Sequence, residues 1–205
     1  MRQGDREHWE SIYAEKPEEM LSWSQPSPVR CLKLIRQFSR PGSSVIDIGG
    51  GSSTLAGMLV EEGFSPCTVL DISSAALERA RSRLDPAIQT RIDWRVADLL
   101  DEPELPKFDV WHDRAVFHFL VEPEQRAAYV KVAERTVAPL GLMVMATFAL
   151  DGPEKCSGLP VERYDAASLA RHFEQSFRLK HEDREMHETP WGVSQPFLFV
   201  VLERL

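Results

Sequence analysis

Apolar residues change their spacing several times along this chain, and each change marks an element. Asp5 to Glu15 reads as a helix, and the proline-rich polar stretch Pro17 to Pro28 (PEEMLSWSQPSP) separates it from the next helical run. Cys31, Leu32, Leu34, Ile35 and Phe38 recur at helical intervals, which predicts a second helix over Val29–Phe38, ended by Pro41-Gly42. From Ser44 onward the pattern alternates. Ser44–Ile48 is a short buried strand, then Thr54–Glu62 a helix, with Gly63 where a helix end favours glycine. Thr68–Leu70 is a second strand. Ser73 or Ser74 can cap the next helix, in which Leu77, Ala80 and Leu84 share one face. Strands come next at Arg91–Val96 and Phe108–His112, then a helix over Pro123–Val137. Leu142–Phe148 is apolar without interruption, as a strand covered on both faces should be. A helix at Ala166–His172 precedes two last runs, Phe177–Glu188 and Gln195–Leu202. The turn Thr189-Pro190-Trp191-Gly192 joins them into an antiparallel hairpin. This alternation predicts an α/β fold, a doubly wound, mostly parallel sheet of seven strands with helices on both faces. Such sheets bind ligands at the carboxyl ends of their strands.

Composition narrows the function. A chain of 205 residues is one domain with a small appendage, and 43% apolar with 27% charged residues is ordinary globular composition. The net charge of −8 argues against a nucleic-acid partner. Cys31, Cys67 and Cys156 are too few and too widely spaced for a disulfide framework or a zinc ribbon, and free thiols fit a reducing compartment. With no signal-like or membrane-spanning apolar run, a cytoplasmic protein without a membrane partner is expected.

Chemistry is sought at the strand ends. After the first strand comes Asp47-Ile48-Gly49-Gly50-Gly51, where glycines allow a tight turn and close approach to a ligand. A dinucleotide fingerprint would place its third glycine at Thr54, so the loop departs from that pattern. Asp71 stands after the second strand, 20 residues past Gly51. It can accept hydrogen bonds from two ribose hydroxyls, or cap the helix near Ser73. Asp98, beside Leu99, can accept from an adenine amino group or stand as a solvated loop acid. His112-Asp113-Arg114 and His118 close the fourth strand. Arg114 can clamp a carboxylate, and the histidine spacing makes no metal site.

Together and in order, VIDIGGGSS, VLDIS, VADLL and FDVWHDRAVFHFL resemble the motifs of the class I S-adenosylmethionine-dependent methyltransferases, over about Ser44 to Leu205. The resemblance implies a Rossmann-like sheet with a reversed C-terminal strand and S-adenosylmethionine as cofactor. It implies cofactor contacts from Trp23, Asp47, Gly49, Gly50, Gly51, Asp71, Ile72, Asp98, Leu99, Asp113 and Arg114. It also suggests His118 as base or substrate contact. The WHDR run resembles thiopurine-type methyltransferases, and the HW…Y…SW segment around Trp9, Tyr13 and Trp23 resembles bacterial relatives of protein-lysine methyltransferases. The acceptor is accordingly a small molecule or a protein side chain. Residues 1–40 are read as a helical lid, 41–205 as the catalytic domain, and the long loop Asp151–Gly158 as a second lid. Two other readings stay open: a non-catalytic cofactor-binding module, and a nicotinamide-dependent reductase, against which the glycine pattern and the lack of a Tyr-x-x-x-Lys pair weigh. The sequence does not indicate an oligomeric state.

Overall fold

The structure is a computed structural model that describes residues 4–205. The chain begins with α1 (Arg6–Glu15), a 3₁₀ turn at Glu18–Met20 and α2 (Val29–Phe38). Next come β1 (Val45–Ile48), α3 (Leu55–Glu61), β2 (Cys67–Asp71), α4 (Ser74–Ser82), α5 (Pro86–Gln89) and β3 (Ile92–Val96). Then come β4 (Phe108–Arg114), α6 (Pro123–Thr136), β5 (Val137–Phe148), α7 (Ala166–Arg171), β6 (Phe177–Glu188) and β7 (Ser194–Arg204). The seven strands form one sheet in the order β3-β2-β1-β4-β5-β7-β6. β7 runs antiparallel to both its neighbours, and the other pairings are parallel, which is the doubly wound sheet with a reversed last strand that was expected. The order reverses at β1, which places a crevice between the loops after β1 and β4.

Strand periodicity divides the core between two faces. Ile46, Ile48, Trp111, Met143 and Met145 meet Tyr129 and Val132 of α6 and Leu169 of α7. Val45, Val110 and Val144 meet Leu34 and Ile35 of α2 and Leu55 and Leu59 of α3. α2 packs directly on the sheet as part of its core, and only the segment before it lies over the strand ends.

Several boundaries differ from the sequence reading, those of β4 and α6 most usefully. β4 continues to Arg114, because its pairing with β5 runs on as far as Arg114 opposite Ala146. α6 stops at Thr136 and β5 starts at once, since Pro139 cannot continue a helix and Phe108 pairs with Val137. Of the two cap candidates for α4, Ser73 serves, accepting from the Ala76 amide at 3.1 Å.

The turn after β4 is set by one buried acid. Asp113 is fully buried, and its carboxylate accepts from the Val116 amide (2.9 Å), the Phe117 amide (3.1 Å) and the Tyr129 hydroxyl (2.6 Å). Tyr129 in turn accepts from the Trp111 indole at 2.8 Å. Burial lifts the Asp113 pKa to about 6 despite these bonds. Removing a partner strands the others in a dry interior. We expect Asp113→Ala to cost about 3–4 kcal/mol and Tyr129→Phe about 1–2 kcal/mol. Urea unfolding measures both, and a neutral Asp113→Ala would remove this turn from the fold's supports.

Candidate active site

A cavity of ≈ 200 Å³ lies where the carboxyl ends of β1, β2 and β4 meet, and Asp47, Asp71 and Asp98 all line it. Trp23, Gly49, Gly50, Ile72, Leu99 and Arg114 share the same wall. Gly51 and Asp113 do not line it.

The glycine loop is built from backbone that other residues rarely adopt. Gly49 and Gly51 have φ of 59° and 55°, and a Cβ on Gly51 would overlap the Tyr13 hydroxyl. The Gly51 amide donates to one Asp71 oxygen at 2.8 Å, and the Ser73 amide donates to the other at 2.8 Å. Asp71 thus joins the loops after β1 and β2. Burial raises its pKa to about 6, and lone pairs remain for a further donor. Asp98 accepts from the Leu100 amide at 2.9 Å and starts the 3₁₀ turn Leu99–Asp101, with Leu99 on the cavity wall.

Asp47 has a partner that the sequence reading left unassigned. β1 and β4 pair Asp47 with His112, and the carboxylate meets the ring Nδ1 at 2.6 Å. Both side chains are buried. Burial works against a charged imidazole, but the neighbouring Cys31 sulfur and the Asp47 carboxylate outweigh it and hold the pKa up at about 10. The signal was legible, since both residues stand near the carboxyl ends of strands that the fold makes neighbours. Arg114 lies two residues further on. Its Nη1 donates to the Trp23 carbonyl at 3.0 Å and its guanidinium stacks over Phe197 at 4.8 Å. Its Nε and Nη2 are buried and have no hydrogen-bond partner among the described residues.

The N-terminal segment closes the cavity. Trp9 stands edge-on to Trp23 (5.9 Å) and Phe119 (5.0 Å), and the Trp23 indole donates to Tyr13 at 3.2 Å. Glu18, which sequence reading missed, accepts from Ser52 of the glycine loop at 3.0 Å, with Arg79 and Arg83 each 3.7 Å away. Glu10 accepts from the Ser74 hydroxyl at 2.6 Å and the Ala75 amide at 3.2 Å, which fixes α1 to the start of α4. No one-dimensional pattern marks these acids, because their partners in the glycine loop and α4 lie 34 to 65 residues away.

His118 does not reach the cavity. It is fully buried, its Nδ1 accepts from the Phe148 amide at 3.4 Å, and its ring lies against Phe119 (4.5 Å) and Phe148 (4.9 Å). Burial, aided by Arg114, pushes its pKa down to about 3. His118 was expected as a base or substrate contact; here it packs in the interior, because the Asp113 turn directs residues 117–119 back against the sheet. Asp113, expected as a cofactor contact, is likewise buried with its carboxylate bonded to its own turn. Cys156, in the loop after β5, lines the cavity with its sulfur 4.0 Å from the Ser22 hydroxyl. Among the described residues, no helix is long and apolar enough to cross a membrane.

The family model "Methyltransferase domain" matches residues 46–143, from β1 into β5. The chain is similar to EEF1A lysine methyltransferase 2 of Mus musculus, 25% identical over 180 residues, covering 80% of this chain and 70% of that one. It is also similar to the Danio rerio protein of that name, 26% identical over 159 residues, covering 70% and 68%. The chain carries a methyltransferase domain. Among solved structures, the methyltransferase shares its fold with 1,6-didemethyltoxoflavin-N1-methyltransferase of Burkholderia thailandensis. The TM-score is 0.74 at 16% identity, covering 97% of this chain and 86% of that one. It shares it also with the N-methyltransferase NodS of Bradyrhizobium japonicum, with TM-score 0.69 at 15% identity, covering 96% and 98%. Its cofactor is S-adenosylmethionine, which sets aside the nicotinamide reading.

The methyltransferase's two buried histidines act oppositely on stability. His118 titrates near 6.5 unfolded and near 3 folded, so its stabilisation is complete above pH 6.5 and is lost as pH falls toward 3. For His112 the folded pKa is raised, so its stabilisation is present below 6.5 and lost as pH rises through about 10. His118→Gln should flatten the acid limb of a urea-midpoint series. It should also leave affinity for S-adenosylhomocysteine within about threefold of the parent. A large loss of affinity would return His118 to the site.

Proposed function

We propose that the methyltransferase methylates an amine, the side chain of a lysine on a partner protein, and that the cavity under the N-terminal segment holds the cofactor. The observation that carries this reading is the meeting of Asp47, Asp71 and Asp98 with the glycine loop in one cavity. The donor set fits. Asp71 keeps acceptor capacity for ribose hydroxyls, Asp98 for an adenine amino group, and Ile72 and Leu99 offer apolar cover for the ring. The unpartnered Nε and Nη2 of Arg114 suit a carboxylate. Asp47 and the Gly49–Gly50 backbone suit an ammonium. Trp23 and Trp9 lie where a sulfonium would gain about 0.5–2 kcal/mol from an aromatic face. Gly51 and Asp113 act at one remove, by holding the loops in place. The lid in this reading is the segment before α2, and the domain begins with α2.

When bound, the cofactor supplies an electrophilic methyl on sulfur. The chain's part is then positioning and exclusion of water, under a closed aromatic cover. Among the described residues, no neutral imidazole lines the cavity: His112 is held positive by Asp47, and His118 is turned away. An acceptor that is nucleophilic once neutral, such as an amine, needs the least from these residues. A lysine-bearing partner also suits a chain of net charge −8 and agrees with the lysine methyltransferases it resembles. A small amine is the second reading, favoured by the closed cover of Trp9, Trp23 and Phe119. Three free cysteines support a reducing, cytoplasmic setting.

Calorimetry should show S-adenosylhomocysteine binding with a micromolar dissociation constant, weakened by about tenfold or more in Asp71→Ala. Labelled methyl should transfer to lysine in basic proteins, faster as pH rises toward the amine's own range near ~10. Failure to bind refutes the cavity assignment. Turnover of thiols or phenols, with lysine and small amines untouched, refutes the acceptor.

A further inference from the structure

β6 ends the sheet. It runs 12 residues beside β7, and among the described residues no strand lies on its other side. An open edge of that length is a template for a further strand. One row of its side chains is already engaged. His181 lies against Phe38 of α2 at 5.3 Å, Arg30 of α2 holds Asp183 at 2.5 Å and Glu185 at 3.4 Å, and His187 donates to the Ser22 carbonyl at 2.7 Å. The other row is open. Leu179, Glu182, Arg184 and Met186 stand opposite Leu202, Val200, Leu198 and Pro196 of β7, and so point to the face where α7 packs. All four are exposed, Leu179 by 42% and Met186 by 60%. Arg184 reaches Asp151 at 2.5 Å, but both ends of that pair are more than half exposed, so it exchanges partners at little cost.

Charges on an edge strand commonly guard it against pairing. Here their order complements itself when the strand is reversed. We infer that β6 pairs antiparallel with β6 of a second copy of this chain, about a two-fold axis at Asp183. That register sets Glu182 opposite the partner's Arg184, and His181 opposite the partner's Glu185. Beyond Lys180, a residue that the β6–β7 register also passes over, Leu179 meets the partner's Met186. The two-fold repeats each contact in reverse, so every pair occurs twice. Pairs of opposite charge flank the axis, and the two large exposed apolar side chains of the strand cover one another further out. Asp183 alone faces its own kind, and Arg30 of the same chain offsets its charge. A strand of another protein would need this order of charges by coincidence, whereas a second copy carries it by construction. None of Leu179, Glu182, Arg184 and Met186 lines the cavity, so the pairing stands apart from the cofactor and acceptor assignments.

Light scattering of the purified full chain, read across a sizing column, tests the pairing. At about 100 µM the mass should be twice the 23.3 kDa of one chain. Leu179→Glu and Met186→Lys, each alone, should weaken the dimer by about tenfold or more, because each sets a charge against an apolar side chain. Combined in one chain they should restore it, since opposite charges then face one another at both contacts. Both positions are exposed, so circular dichroism of all three variants should match the parent. A monomeric parent overturns the inference. So do single variants that dimerise as the parent does, or a folded double variant that stays monomeric.

Discussion

The site depends on a carboxylate buried between two loops. Asp71 draws the Gly51 amide from one side and the Ser73 amide from the other, each at 2.8 Å. Neither loop has a hydrophobic reason to adopt its shape. The first needs two left-handed glycines, and the second turns directly from strand into helix. An acid placed between them offsets those conformational costs with charge-assisted bonds. Burial opposes the charge, which is why the carboxyl stays proton-avid, with a pKa of about 6. A ligand donor would meet an acceptor already oriented by the fold.

A second buried pair carries the same logic across the sheet. Asp47 and His112 face one another because β1 and β4 are neighbours in register, and each would be expensive to bury alone. Together they place a polar centre on the face where α2 packs, directly beneath the crevice. Arg114 continues that row two residues on. It carries a positive charge to the cavity wall, held by the Trp23 carbonyl and the Phe197 ring.

Much of this was legible in the chain. Buried strand patterns at Val45–Ile48 and Leu142–Phe148 mark central strands, and period-two alternation decides which side chains meet which helices. The glycine loop and the acids at positions 47, 71 and 98 stand at strand ends, where the topology converges them. His118 defeats a reading from position alone, because one turn past β4 points to the crevice. Asp113, buried by the two-residue extension of β4, folds that turn back and sends the imidazole into the core. Glu10 and Glu18 stay invisible for another reason. On a helix or a loop a glutamate looks solvated, and only tertiary contact reveals that it holds Ser74 or Ser52.

The attachment of the amino end bears on turnover. Glu10 clasps α4, Glu18 clasps the glycine loop, and the Trp23 carbonyl is gripped by Arg114. The same short segment thus roofs the cavity and is fastened to three separate places on its rim. In the proposed reading, cofactor and product pass a rim held by those three clasps, so the strength of the clasps bears on their exchange.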